Sequence, residues 1–325
     1  MKIKQSKIYL YGLLMMVFLL SSCTNNTIPS TPVENTTEPA QSEPTFSPTT
    51  VIETEPPLAI KKLFIYHTTF EDPLIQETLN EITVAAEGLG FEVSRNNELP
   101  DGSFSSILLF HPTEEILLTS QGLAVDQIIV VAEEIPFSPT IPTTFIKLSQ
   151  AETIFLAGYL SALITNDWRV GGLLPDNQYN NTDASKIFQN GMIYLCGRCT
   201  PVFGPIVKFP VTAILSTPEN TEATMQAFGE IATNRINTLF IPSIYLNDDL
   251  VTLLKQNNVT IISDSYLETS LNGWVDYSIT TNVNDLVLTI LSNDNQPKES
   301  VNIIPAEYAI HANATPISVG RENFL

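Results

Sequence analysis

Polar, ionisable and aromatic residues follow several apolar runs of the sequence, at the point where each run ends. These residues are His67, Thr68, Phe70, His111, Glu133, Asp176, Tyr179, Ser243, Tyr245 and Asp264. Hydroxyls, carboxylates, imidazoles and aromatic rings that converge on one pocket can hydrogen-bond to a small polar molecule and stack on it. The sequence has no pattern typical of a nucleophile with a paired base, a carboxylate dyad, a phosphate-binding glycine loop or a metal cluster. We therefore predict ligand binding, with no catalytic residue, cofactor or metal.

Some of these polar residues have an alternative role as helix caps. A hydroxyl or carboxylate after a strand often accepts a hydrogen bond from the first turn of the next helix. This alternative stays open for Thr113, Thr217 and Ser243, and it is the favoured interpretation for Asn247 or Asp248. The strand ends therefore mark a candidate pocket without assigning every polar residue to it.

The aromatic and histidine candidates have alternatives as well. Phe70 and Tyr179 are large enough to be core residues. His67 and His111 lack an evident third metal ligand. We interpret them as hydrogen-bonding groups of a cleft, and a strand order of 2-1-3 would make them neighbours.

An alternation of strand and helix patterns must position these residues. Apolar, β-branched runs occur at 62–68, 91–96, 105–112, 127–134, 143–149, 168–176, 210–216, 236–243 and 259–265. Helical spacing of apolar residues occurs at 75–90, 113–125, 151–166, 183–195, 218–234 and 247–258. Continuous apolar strands separated by helices are typical of parallel sheets covered on both faces. Ligands of such sheets bind beyond the carboxyl ends of the strands.

The alternation restarts near residue 149, which predicts two doubly wound lobes joined by a hinge. The last segment contains a strand, a helix and a further strand, and it is too short to form a third lobe. We expect it to return to the first lobe. The predicted domains are therefore 60–148 with 267–325 for the N-terminal lobe and 149–266 for the C-terminal lobe.

The first sixty residues have the composition of an export signal and a tether. Three lysines precede an apolar segment from Ile8 to Leu20, which is shorter than the roughly 20 residues of a membrane-spanning helix. The sequence Leu20-Ser21-Ser22-Cys23 resembles a lipobox, so we expect a signal peptide at 1–22 and lipidation of Cys23. Residues 23–59 are rich in Pro, Thr, Ser and Glu, and we expect a disordered tether.

The net charge and the two remaining cysteines give information on the partners of the protein and on its compartment. The net charge of −20 argues against nucleic acid as a partner, because phosphates would be repelled. Cys196 and Cys199 end a helical pattern instead of beginning one, which is unlike a thioredoxin-type motif. We favour a disulfide between them in an oxidising compartment. Free thiols and a catalytic or metal role stay open as alternatives.

The stretch "AETIFLAGYLSALITNDWRVGGLLP", followed by "FQNGMIYLCG", resembles the basic membrane protein family of lipoproteins. The segments "VDYSITTNVNDLVLTIL" and "ISVGRENFL" stand where that family returns to its first lobe. Members are solute receptors of ABC importers and include binders of purine nucleosides. The resemblance implies a type I periplasmic-binding-protein fold, with two α/β lobes, a multi-strand hinge and a ligand between them. Asp264 stands where the family has an acidic residue, whereas the loops "YHTTFEDPLIQETLN" and "IPSIYLND" depart from the nucleoside-binding pattern.

These observations together predict a solute-binding lipoprotein on the extracytoplasmic face of a bacterial cell membrane. We expect a monomer that delivers a small polar ligand, with nucleosides as one candidate class, to an ABC permease. The alternative is a sensor or surface-interaction lipoprotein with a degenerate cleft. A compact pocket lined from both lobes would support the first function, and a cleft filled by protein side chains would support the second.

Overall fold

The structure is a computed structural model of the chain. It describes residues 60–68, 73–133, 139–179, 181–197, 200–201, 204, 207–215, 220–266, 271, 273–293 and 301–313. All of these belong to one compact unit, Pro57–Leu325. The predicted signal peptide, Cys23 and the tether lie outside the described residues. Among the helices described here, none combines the length and apolar character needed to cross a bilayer.

The first sheet has six parallel strands. Along the chain, the elements around it are β1 (Lys61–His67), α1 (Pro73–Gly88), β2 (Phe91–Asn96), β3 (Phe104–Phe110), α2 (Glu114–Ser120), β4 (Val125–Ala132), β5 (Thr143–Lys147) and the distant β13 (Val301–Pro305). The strand order is β13-β5-β4-β3-β1-β2. The predicted 2-1-3 order is confirmed, and His67 of β1 is in register with Phe110 of β3.

The second sheet also has six strands. Its region contains α3 (Gln150–Ile164), β6 (Val170–Pro175), the hairpin β7 (Gln178–Tyr179) and β8 (Thr182–Asp183), α4 (Ala184–Cys196), β9 (Val211–Leu215), α5 (Thr221–Ala232), β10 (Thr238–Phe240), a 3₁₀ turn (Ser243–Tyr245), α6 (Asp248–Gln256), β11 (Thr260–Ser265), β12 (Tyr277–Thr281) and β14 (Tyr308–Ala312). The order is β14-β12-β11-β10-β6-β9, with β14 antiparallel to β12. The predicted α/β class with parallel sheets is confirmed.

Both faces of the sheet are buried, which explains why the sequences of the central strands are continuously apolar. In β1, Leu63 and Ile65 pack into a core that includes Leu79 of α1. Phe64 and Tyr66 point to the opposite face and pack into a second core with Leu117 of α2. Successive side chains of a strand point to opposite faces, so a sheet with helices on both sides needs an apolar residue at every position.

Helices α3 and α4 cross at two glycines. A Cβ atom built on Gly158 would lie 2.1 Å from the carbonyl oxygen of Phe188, and one on Gly191 would lie 2.0 Å from that of Phe155. The helix backbones therefore touch, and no larger residue fits at either position. Gly158 and the Phe188–Gly191 stretch are among the positions that carry the family resemblance, and here they serve helix packing.

The last segment corrects the predicted lobe boundary. Residues 267–325 were expected to complete the first lobe, but β12 and β14 belong to the second sheet and only β13 joins the first. Helix α7 (Val283–Ser292), which lies between β12 and β13, packs with α1 in the core of the first lobe. The periodicity of a strand predicts that it is buried, but it does not indicate which of two similar sheets it joins.

Within the described residues, the chain passes between the lobes three times. The passages lie at Ser149 between β5 and α3, at Asn282 between β12 and α7, and at Ala306 and Glu307 between β13 and β14. The backbone N–H of Glu307 donates to Asn282 Oδ1 at 2.9 Å, and the N–H of Asn282 donates to the Glu307 carbonyl at 3.2 Å. These bonds join the second and third passages, and we call the three passages together the hinge.

Candidate functional site

A cavity of about 70 Å³ lies where the strand ends of the two sheets meet, and we call it the cleft. Its walls include Glu133 after β4, Gln150 at the start of α3, Ser243 after β10, Asp264 and Tyr266 at the end of β11, and Tyr308 of β14. Three of these, Glu133, Ser243 and Asp264, were predicted from strand ends alone. Residues from both lobes therefore form one concave site.

Asp264 organises the second-lobe wall of the cleft. Its Oδ1 accepts a hydrogen bond of 2.6 Å from the backbone N–H of Ser243, which holds the 3₁₀ turn after β10 against β11. The same turn carries Tyr245, which is buried and donates from its hydroxyl to the Leu215 carbonyl at 3.3 Å. Ser243 is therefore no cap of a longer helix, and its neighbour Tyr245 serves the fold of the wall.

Tyr179 lies on the β7–β8 hairpin and reaches toward the start of α3. Its hydroxyl donates to Gln150 Oε1 and accepts from Asn177 Nδ2 at 3.3 Å. Burial raises the pKa of Tyr179 to about 12, and the charges of Glu133 and Asp264 raise it further, against the lowering effect of the Asn177 hydrogen bond. The phenol therefore stays protonated at neutral pH and can act as a donor.

The electrostatic character of the cleft is negative. Burial raises the pKa of Tyr245, and the charge of Asp176 raises it further. None of the described residues that line the cleft is Lys or Arg. Of the predicted carboxylates, Glu133 and Asp264 line the cleft, whereas Asp176 does not, and Tyr179 and Tyr245 are not among the lining residues either. This arrangement suits ligands that donate hydrogen bonds or carry positive charge.

His111 joins the two lobes across the cleft edge. Its Nε2 lies 2.7 Å from the hydroxyl of Tyr266, which follows β11 of the second sheet. The backbone of His111 has φ 47°, a left-handed conformation that turns the ring toward Tyr266. Burial lowers the pKa of His111 to about 4. The imidazole is therefore neutral at physiological pH, and its Nε2 and the tyrosine hydroxyl share one hydrogen bond.

The remaining predicted residues lie elsewhere. The Nδ1 atom of His67 donates to the Thr68 carbonyl at 3.0 Å, and neither residue lines the cleft. Phe70 lies outside the described residues. No group of three or more potential metal ligands occurs in the part of the chain that the structure describes. Cys196 is disulfide-bonded, but Cys199 also lies outside the described residues, so their pairing stays a prediction.

Several residues that shape the cleft were not among the predicted site residues. The hydroxyl of Tyr308 accepts from the Ser149 N–H at 2.6 Å and donates to the Ser149 carbonyl at 3.1 Å, which ties β14 to the first hinge passage. Tyr266 and Thr281 line the cleft at the ends of β11 and β12. Both stand at strand ends, as the predicted residues do, but neither was among the predicted site residues. Tyr308 lies instead at the start of an antiparallel strand.

Comparison with solved structures identifies the architecture. A transcriptional activator of the comK gene from Bacillus halodurans matches with a TM-score of 0.60 and 11% identity, over 82% of this chain and 94% of that chain. An ABC transporter solute-binding protein from Conexibacter woesei matches with a TM-score of 0.60 and 10% identity, over 82% and 93%. The chain has a type I periplasmic-binding-protein-like fold.

A third match with this fold is a LacI family transcriptional regulator from Arthrobacter sp. FB24, with a TM-score of 0.52 and 10% identity over 79% of this chain and all of that chain. No protein-family model and no curated protein matches the sequence. Identities this low establish the fold alone, since one fold serves many functions. In a type I periplasmic-binding-protein-like fold, the cleft occupies the crevice at the carboxyl ends of both sheets.

Proposed function

We propose that the chain is an extracytoplasmic solute-binding protein that closes its two lobes over a small polar ligand. The observation that carries the proposal is the convergence of Glu133, Ser243 and Asp264, from two separate sheets, on one crevice. Each was predicted from the sequence as a strand-end residue. Their chemistry supports a hydroxylated or positively charged ligand that is recognised without a reaction.

The size of the cleft indicates that the lobes are closed in this structure. A volume of about 70 Å³ corresponds to roughly two water molecules at about 30 Å³ each, whereas ligand pockets usually enclose about 300–1,000 Å³. A solute the size of a nucleoside needs the lobes to separate, which breaks the contact between His111 and Tyr266. Binding energy then has to favour the liganded closed form over this ligand-free one.

The proposal extends to location and partners. We infer that Cys23 carries a lipid anchor, that residues 23–59 hold the folded part away from the membrane, and that a monomer delivers its ligand to an ABC permease. The resemblance to the basic membrane protein family supports this inference and makes nucleosides one candidate class. Replacement of Cys23 by Ser should release the protein from the membrane fraction and abolish labelling by radioactive palmitate.

A second candidate function is favoured by the contacts that cross the cleft. Tyr266 and Tyr308 both line the cleft, and their hydroxyls are already bonded within the protein, to His111 and to Ser149. A sensor or interaction module with a cleft occupied by its own side chains would have this arrangement. The two functions differ in one property, which is measurable binding of a small solute.

Calorimetric titration of the full-length chain in detergent with nucleosides, sugars and amino acids tests the proposal. We expect saturable binding of at least one compound. The Asp264→Asn variant keeps an oxygen for the Ser243 N–H but removes the charge, and it should weaken binding about tenfold. The exposed Glu230→Gln variant, on α5, should bind as the wild type does.

Two results would contradict the solute-binding proposal. If no compound of a broad library binds, the sensor function is favoured. If a compound binds equally well to Asp264→Asn and to wild type, the ligand does not occupy the cleft.

A further inference from the structure

The second hinge passage, from Thr281 to Asn284, contains two buried oxygen atoms without a partner. Thr281 ends β12 in the second lobe, and Asn284 lies in the first turn of α7 in the first lobe. Thr281 Oγ1 and Asn284 Oδ1 have almost no surface open to water and no hydrogen-bond partner among the described residues. Buried polar atoms are nearly always paired in folded proteins. The passage is therefore destabilised in this form of the protein.

The other end of the Asn284 amide fixes its orientation. Its Nδ2 atom donates to Glu81 Oε2 of α1 at 3.1 Å. An ionised carboxylate only accepts hydrogen bonds, so a flipped amide would place one oxygen against another. The amide oxygen is therefore the atom that remains without a partner.

Helix α7 also begins without a side-chain cap. In each of α2 to α6, a side chain before the helix accepts a hydrogen bond from a backbone N–H of the first turn; these residues are Thr113, Ser149, Asp183, Asn220 and Asn247. Asn282 has the same position before α7, but its side chain makes no such bond. Its Oδ1 accepts instead from the N–H of Glu307. The residue that would cap the helix thus ties two hinge passages together.

Because the N–H and the side chain of Asn282 are both bonded to Glu307, its neighbours have to absorb a rotation of the lobes. Thr281 and Asn284 line a cavity of about 520 Å³ beside the hinge. Helices α1 and α7 form one side of this cavity, and strands β12 and β14 of the other lobe form the opposite side. It is large enough to hold water, and it changes shape when the lobes rotate. A small torsional change at Thr281 or Asn284 then brings the buried oxygen to its surface.

We propose that this passage biases the ligand-free protein toward an open form. Closure buries Thr281 Oγ1 and Asn284 Oδ1 without partners, whereas opening lets water bond to them. One unpaired buried group shifts an equilibrium by about tenfold, so two of them oppose closure of an empty cleft. Contacts with a ligand have to supply the difference. The inference rests on the proposed closure of two lobes, and it does not depend on which solute binds.

Spin-label distances in the ligand-free, full-length chain in detergent test the inference. Labels attached at Glu115→Cys on α2 and Asp249→Cys on α6 report the separation of the lobes. Both positions are exposed, and both lie in the first turn of a helix that follows a strand end at the crevice. We expect the distance distribution to contain a short, closed component and a long, open component.

Variants of the passage should change the ratio of these components. Thr281→Val removes the unpaired hydroxyl and keeps the shape of the side chain, so it should raise the ratio of closed to open molecules about tenfold. Asn284→Ala removes the second oxygen, together with the bond to Glu81, and should shift the ratio in the same direction.

Thr143→Val is the matched control. The Thr143 hydroxyl donates to the Ile141 carbonyl at 2.8 Å, so it has a partner. It lies at the beginning of β5, at the opposite end of this strand from the hinge passage at Ser149. This variant should leave the ratio of closed to open molecules unchanged.

Four observations would contradict the inference. They are a wild type with the short component alone, a distribution that Thr281→Val leaves unchanged, a shift of that variant toward the long component, and an equal shift in Thr143→Val. Addition of solutes separates this inference from the proposed function. If a solute binds and shortens the distance but Thr281→Val has no effect, only the hinge inference fails. If Thr281→Val closes the lobes but no solute binds, the hinge inference stands and the solute-binding proposal fails.

Discussion

Replacement of Gly158 by Ala tests the closest helix contact of the second lobe. The added methyl group would lie 2.1 Å from the Phe188 carbonyl oxygen and 3.1 Å from the Met192 nitrogen. Both are backbone atoms and cannot rotate away. Helices α3 and α4 would have to separate by about 1 Å to reach ordinary contact distance, with the fully buried Phe188 between them and the sheet.

The magnitude follows from two opposing terms. Overpacking of a tight contact costs about 1–3 kcal/mol, and the upper end applies because backbone must move. Alanine favours the helical conformation by about 1 kcal/mol relative to glycine, which offsets part of this cost. We expect Gly158→Ala to lower the free energy of unfolding by about 2 kcal/mol, which corresponds to a melting temperature lower by about 4–8 °C.

Gly229 provides the matched control. It lies inside helix α5, and nothing would lie within 4 Å of an added Cβ atom. Gly229→Ala should therefore stabilise the protein by up to about 1 kcal/mol. Urea denaturation followed by circular dichroism measures both variants, and their difference of about 3 kcal/mol isolates the steric term. Equal effects of the two substitutions would refute the close helix crossing.

Three further predictions concern single side chains. The pKa of His111 is about 4 in the folded chain and about 6.5 in the unfolded chain, so the unfolded chain binds the proton first as the pH falls. The free energy of unfolding should therefore decrease by about 3 kcal/mol between pH 6.5 and pH 4. In denaturation curves recorded at the two pH values, His111→Gln should reduce this difference. Tyr308→Phe removes both hydrogen bonds to Ser149 and should cost about 1–2 kcal/mol in urea denaturation, without changing the secondary structure. Arg169 is 7% exposed, and its Nε atom lies 2.7 Å from Asp167 Oδ2. Arg169→Met should lower the free energy of unfolding by about 3 kcal/mol, because it leaves Asp167 without its ion pair. A decrease below about 1 kcal/mol would contradict a structural role for this pair.

The sequence predicts the layered architecture because burial on both faces leaves a strong signal. Leu63 to Tyr66 are apolar at every position, and the strand falls at 61–67 against a predicted 62–68. Local polar signals were informative as well. Asn247 caps α6 by accepting from the Leu250 N–H at 2.9 Å, as expected, and Thr113 caps α2. These features depend on neighbours in the sequence and can be predicted from it.

Short elements and some element boundaries were not predicted correctly. The two-residue strands of the β7–β8 hairpin are too short to show an alternating pattern. Helix α5 begins at Thr221 with Asn220 as its cap, so the predicted start at Pro218 was too early. Strand β14 was missed, and with it Tyr308, because two strands separated only by Ala306 and Glu307 read as one segment.

The candidate cleft was partly predictable for the same reason. The carboxyl end of a strand is a local property, and it located Glu133, Ser243 and Asp264. The contact between His111 and Tyr266 spans 155 residues and depends on how the second lobe is placed against the first. The position of His111 at the end of β3 was predicted from the sequence, but its pairing with Tyr266 was not.

The hinge has a mechanical consequence. A single covalent link would let one half of the molecule swing, twist and slide relative to the other. Three links side by side, with Asn282 bound to Glu307 and Ser149 to Tyr308, leave rotation about one line as the soft motion. The two halves of the crevice then return to the same register each time they meet.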